Sequence, residues 1–172
     1  LLEVISGLAA CRTGTIRWQS DALTQRQRRS LCGIVFQFPE RHFLGLTVQQ
    51  ELKLGHRRLP GERLEQVLQQ VGLGSIDRSM TPERLSGGQQ RRLSLAVQLL
   101  RGAQVLLLDE PTAGLDWSVR DDVLDLLADL SKERVLIVVT HEPELFRNWQ
   151  CDRHRLQNGQ LSPLTTLPRA ES

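Results

Sequence analysis

Asp109 and Glu110 stand side by side at the end of an apolar run, in "VLLLDEPTAGLD" from Val105 to Asp116. Two adjacent carboxylates repel one another and desolvate poorly unless a cation or a transferable proton is supplied. A magnesium–phosphate centre supplies both. One carboxylate holds the metal, usually through water, and the other accepts a proton from an attacking water. The same pair also reads as ordinary residues facing solvent at a strand end. The second stretch is "LSGGQQRR", Leu85 to Arg92. Ser86 is placed to cap a helix, and Gly87 and Gly88 let backbone amides approach an anion at the positive end of that helix. Alone, the stretch reads equally as a capped turn loosened by glycine.

The elements that must position these residues follow from periodicity. Val105–Asp109 and "RVLIVV" from Arg134 to Val139 are continuous apolar runs joined by a helical pattern near Ser118 to Leu130. That is the signature of a βαβ unit in a parallel sheet covered on both faces, with a right-handed crossover. Ligands of such sheets bind at the carboxyl ends of the strands, which places Asp109-Glu110 beside His141 at the end of the next strand. "LLEVISGLAA" reads as a helix with Leu1, Ile5 and Leu8 on one face, "TIRWQS" as a strand after Gly14, and Ile34–Gln37 as a second strand halted by Pro39.

From Thr47 to Leu100 the period becomes helical. Thr47 is an N-cap candidate, Leu64, Val67, Leu68 and Val71 make one apolar face, and the second half of "LSGGQQRRLSLAVQLLRGA" is apolar nearly all round and so is expected to be buried. Residues 1–38 and 101–162 are read as an α/β core, 39–100 as a helical subdomain inserted in it, and 163–172 as a frayed or disordered tail. Asn158-Gly159 between short extended pieces signals a hairpin.

Composition narrows the function classes. A formal net charge of +2 over 172 residues gives no global reason for a nucleic-acid or membrane-surface partner. The basic clusters Thr24–Ser30 and Gly55–Leu59 read as solvated faces, and neither interleaves aromatic residues as a base-stacking platform does. Trp18, Trp117 and Trp149 read as packing residues, and Arg91 and Arg92 as projecting outward or meeting acidic neighbours. Cys11, Cys32 and Cys151 lack CxxC spacing and read as free thiols in a reducing compartment. No apolar run reaches the eighteen residues of a membrane span, and no signal peptide is recognisable.

Together with Gln37 and His141, these stretches resemble the ATP-binding cassette (ABC) ATPases. "LSGGQ" matches that family's signature motif, "VLLLDEPTAGLD" its Walker B strand and D-loop, Gln37 its Q-loop and His141 its switch histidine. The resemblance covers nearly the whole chain in the family's order. It implies a P-loop NTPase-like (RecA-like) α/β fold with an inserted helical subdomain, here lacking the N-terminal strands, and ATP and Mg²⁺ as ligands. Asp109 then looks like the Mg²⁺ carboxylate, Glu110 like the general base, and Gln37 like the residue sensing metal and water. His141 resembles the contact to the γ-phosphate. Ser86, Gly87, Gly88 and Gln89 would meet the ATP held by a second copy, and Asp116 would lie at the dimer interface. Ala113 stands where many members have serine.

One departure from the family outweighs the matches: no GxxxxGK[ST] phosphate loop occurs in the chain, and the family's adenine-stacking aromatic is absent too. Because it opens at Leu1 with its acid pair intact, a fragment of an ordinary ATPase is favoured over a natural scaffold blind to nucleotide. The chain alone is expected to bind ATP weakly and not to hydrolyse it, and loss of a central strand would leave ladder groups unpaired. The lack of long heptads argues against relatives with coiled-coil insertions. The resemblance implies the ATPase subunit of a transporter on the cytoplasmic face of a membrane, working as a homo- or heterodimer with a permease subunit docked near Phe38–Leu46. The wording "FQFPE" is similar to the energy-coupling-factor and cobalt-importer type. The alternatives are a soluble translation or iron-sulfur assembly factor, and the scaffold.

Overall fold

The computed structural model describes residues 1–164, so the tail reading lies, from residue 165 on, outside the described residues. The chain divides into two compact units, Leu1–Val139 and a second beginning at Thr140.

In the first unit, α1 spans Leu2–Ser6 and stops at Gly7, whose φ of 81° only glycine adopts without strain. The helix is shorter than its periodicity predicts. Leu1 and Leu8 are exposed, and Leu2 and Ile5 carry its packing instead. The predicted strand at Ile16–Trp18 is a two-residue β1, Arg17–Trp18, which pairs antiparallel with β2, Asp21–Ala22. Next comes a helix the basic composition concealed. Helix α2, Gln25–Leu31, starts in a capping box between Thr24 and Gln27. The Thr24–Ser30 run is therefore no solvated face throughout: Arg28 is buried and donates to the Leu23 carbonyl, while Arg29 Nε donates to the Gly7 carbonyl.

Strand β3 spans Cys32–Val35, two residues earlier than predicted, because Phe36 leaves the ladder to stack on His42 at 4.2 Å. Helix α3 covers Val48–Lys53 and α4 Gly61–Gln70, and Thr47 caps α3 as expected. The face Leu64, Val67, Leu68, Val71 is buried. Helix α5 runs from Gly87 to Leu100 with none of Arg91–Leu100 exposed, and α3 and α4 pack against it. Strand β4 is Val105–Asp109, α6 is Trp117–Ser131 and β5 is Val135–Val139, which bears out the βαβ reading.

The sheet is parallel, in the order β3-β4-β5, with Val35 paired to Leu108 and Asp109 to Val139. Alternation sorts its side chains. Val105 and Leu107, with Cys32, Ile34, Ile137 and Val139, share a cluster with Leu2 and Ile5 of α1. Helix α5 lies where Gly33 removes an obstacle, since a Cβ there would come within 2.7 Å of Gln98 Cβ and 3.0 Å of Ala103 Cβ. Helices on both faces leave the two strand ends as the places where polar groups can gather.

The second unit holds a 3₁₀ turn, Pro143–Phe146, and a hairpin of β6, His154–Gln157, and β7, Gln160–Pro163. Asn158 and Gly159 have φ of 50° and 77°, the pair of positive angles that a type I′ turn requires. Arg153 binds the carbonyls of Phe146, Arg147 and Trp149, and the Trp149 ring meets Phe146 edge-on. All three cysteines are free thiols.

Candidate functional site

Asp109 is the last residue of β4, at the carboxyl edge of the sheet and half-buried. Glu110 follows with φ 46°, a left-handed conformation that costs a non-glycine residue about 1 kcal/mol. It is held there from both sides. Its amide donates to the Val139 carbonyl at 2.9 Å, and its carbonyl accepts from Ala113 N at 3.1 Å. Only 8% of Glu110 is exposed. An over-determined, strained turn that buries a carboxylate beside another carboxylate is a feature of functional sites rather than of plain strand ends.

Gln37 lies two residues beyond β3 at the same sheet edge, half-buried. Ser86 caps α5 in a reciprocal box: its Oγ accepts from Gln89 N at 3.3 Å, and Gln89 Oε1 accepts from Ser86 N at 3.0 Å. As the first two residues of the helix, Gly87 and Gly88 have amides with no acceptor inside it. Gly88 is buried because its Cα faces Val119 of α6, where any Cβ would overlap the Val119 Cγ1 methyl. Gly87 sits over Leu115, with 3.5 Å from an added Cβ to Leu115 Cδ2. The capped turn therefore rests on the segment that follows the acid pair. Asp116 opens α6 as its N-cap without a side-chain capping bond. His141 belongs to the second unit; the first unit brings together Gln37, the α5 turn, the acid pair and Asp116.

Two expectations are corrected. Trp117 is not a packing residue: at the first position of α6 it is 76% exposed, with the Arg120 guanidinium 5.4 Å from its ring centre. Arg91 does not project outward. It is 3% exposed, with Nη1 donating to the Phe36 carbonyl at 3.0 Å and Nη2 to the Ala113 carbonyl at 3.4 Å. The signal was present in the sequence, since Arg91 falls on the buried stripe of Gly88, Leu95 and Leu99. Arg92 does meet an acidic neighbour, Asp122 at 3.1 Å.

The loop Phe38–Leu46 exposes Phe38, Leu44 and Leu46. Its far end is clamped by a buried carboxylate that periodicity did not single out: Glu51 Oε2 accepts from Leu44 N at 2.8 Å and Gly45 N at 2.7 Å. Glu51→Ala strands both donors and is expected to cost about 2–3 kcal/mol, read as a lower denaturation midpoint at unchanged m-value. A loss below about 0.5 kcal/mol would mean the clamp contributes little to stability.

A parallel α/β sheet with an acid pair at its carboxyl edge, beside a capped helix start open to anions, is the layout of a P-loop-type nucleotide-binding fold. The comparisons make the class specific. The ABC transporter family model matches residues 1–113, and the chain belongs to that family. It is 49% identical over 158 residues to the chloroplastic ABC transporter I family member 11 of Arabidopsis thaliana, covering 83% of this chain and 57% of that protein. It is 37% identical over 159 residues to the energy-coupling factor transporter ATP-binding protein EcfA2 of Bacillus licheniformis, covering 84% of this chain and 55% of that protein. The chain thus spans a little over half the length of these two relatives. An ATP-binding cassette solved as a dimer in a post-hydrolysis state with ADP and Pi superposes with a TM-score of 0.69 at 25% identity, over 85% of this chain and 70% of that one.

Proposed function

We propose that the full-length protein is the ATP-binding, ATP-hydrolysing subunit of an ABC membrane transporter of the energy-coupling-factor type. The observation that carries this reading is the pinned, buried Glu110 beside Asp109, next to a segment on which the open first turn of α5 rests. Residues 1–38 and 101–162 act as the α/β core and 39–100 as the helical subdomain.

The donor set fits Mg²⁺ in one respect that matters: that ion takes one or two carboxylates and completes its shell with water and phosphate oxygens, so Asp109, with Gln37 nearby, suffices from the protein. When bound, the ion neutralises phosphate charge. Glu110 accepts a proton from a water whose oxygen bonds to the γ-phosphorus as the bond to the ADP oxygen breaks. Gln37 orients that water. Ser86, Gly87, Gly88 and Gln89 bind the triphosphate held by a second copy, Ser86 by its hydroxyl and the glycines by their free amides, with Asp116 at the shared interface.

Among the described residues no helix is long and apolar enough to cross a membrane. Attachment to a membrane then goes through a permease subunit, for which the exposed apolar side chains of Phe38, Leu44 and Leu46 offer the contact. The test uses the full-length protein purified from its own membranes. Mg²⁺-dependent ATP hydrolysis that chelation abolishes, together with recovery of a multi-span membrane protein, is expected. Absence of hydrolysis would defeat the reading, and recovery with ribosomes instead would move it to the soluble branch.

A further inference from the structure

Arg91 is a cation that the proposed chemistry does not use; Arg28 is buried as well, but its bond goes to Leu23, five residues away, whereas those of Arg91 reach segments far along the chain. A guanidinium cannot shed its charge, so burying one is costly unless its donors are matched. Here two donors reach main-chain carbonyls, at 3.0 Å and 3.4 Å, and Nε is buried without a partner. Burial pulls its pKa below the ordinary arginine value, and the nearby carboxylates of Glu40 and Asp109 push the other way. A leucine on this stripe would pack without that cost but would leave the Phe36 and Ala113 carbonyls without these donors, so packing alone does not account for the choice of arginine.

What the two carbonyls belong to does account for it. Phe36 immediately precedes Gln37. Ala113 donates its own amide to the Glu110 carbonyl and stands three residues before Asp116. Arg91 itself sits in the second turn of the helix that Ser86 caps. One planar fork therefore joins three segments, far apart in sequence, that carry Gln37, the acid pair with Asp116, and the α5 turn. Main-chain carbonyls are fixed acceptors, so the spacing of the fork sets the spacing of the segments.

We propose that Arg91 is a positioning residue for ATP hydrolysis, its buried guanidinium locking the Phe36–Gln37 and Glu110–Ala113 backbones to the start of α5 in one geometry. This rests on the hydrolytic reading above, so the test has one arm that does not need hydrolysis. In the full-length protein, Arg91→Lys keeps the charge but offers no planar fork and holds one carbonyl at a time. Amide hydrogen exchange is expected to rise at least fivefold in both segments, residues 36–38 and 111–116, with the β4 amides unchanged. The kcat of Arg91→Lys is expected to fall about tenfold with KM for ATP within twofold, and that of Arg91→Ala further. Millimolar guanidinium is expected to restore part of the Arg91→Ala loss and none of the Arg91→Lys loss. If Arg91→Ala does not fold, the lysine variant decides alone. Exchange that rises in one segment or neither overturns the linkage. A kcat within twofold of wild type, at any stability, overturns the positioning role. Joint exchange changes in a protein that never hydrolyses ATP would uphold the linkage while defeating the hydrolytic reading.

Discussion

Replacing Glu110 by glutamine is expected to lower kcat for ATP hydrolysis by the full-length protein by about three orders of magnitude, inside the 10²–10⁴ range of a positioned base. ATP binding is expected to survive. Glutamine keeps the shape of the side chain, and the main-chain bonds to Val139 and from Ala113 do not depend on the carboxylate, so the turn at φ 46° stays in place. The variant loses the proton acceptor and one of two neighbouring negative charges, which relieves repulsion toward a triphosphate. Single-turnover hydrolysis and equilibrium nucleotide binding separate the two effects. Hydrolysis within about twofold of wild type would remove Glu110 from the role of base.

The second large effect comes from a single methyl group. Gly88→Ala places a Cβ into the Val119 Cγ1 position, and a β-branched side chain in a helix has no other comfortable rotamer to adopt. The first turn of α5 has to lift from α6, at an expected cost of about 1–3 kcal/mol in stability. Because the same turn carries Ser86 and the free amides, ATP-driven association of two copies is expected to weaken at least tenfold. Gly87→Ala is the contrast. Its Cβ meets only Leu115 Cδ2, at an ordinary 3.5 Å, so its melting temperature is expected to stay near that of wild type. Equal melting temperatures for the two variants would show that the α5–α6 contact is not the reason for Gly88.

Much of this arrangement is legible in the sequence, because local rules and tertiary demands agree there. Residues 105–108 are apolar on both faces, so the run reads as a buried parallel strand and is one. Thr47, Ser86 and Asn158-Gly159 announce their cap, cap and turn through side-chain or backbone chemistry that needs no partner elsewhere. The misreadings occur where a distant partner decides. Strand β3 ends at Val35 because the ring of Phe36 stacks on His42 and its carbonyl serves Arg91, fifty-five positions along the chain. Glu51 and Arg91 look like surface charges until the fold buries them against backbone donors and acceptors. The first turn of α2 was written in Thr24-x-x-Gln27, but the arginines after it obscured that signal.

The account depends on two half-sites meeting across a pair of molecules: the acid edge of one sheet and the capped turn of the other copy's α5. The most direct measurement is a structure of the full-length Glu110→Gln protein with ATP and Mg²⁺. It is expected to hold the nucleotide between two copies, with Asp109 of one on the metal side and Ser86 Oγ and Gly88 N of the other within hydrogen-bond distance of the γ-phosphate. A nucleotide bound by one copy alone, with the Ser86 turn of the second facing solvent, would contradict it.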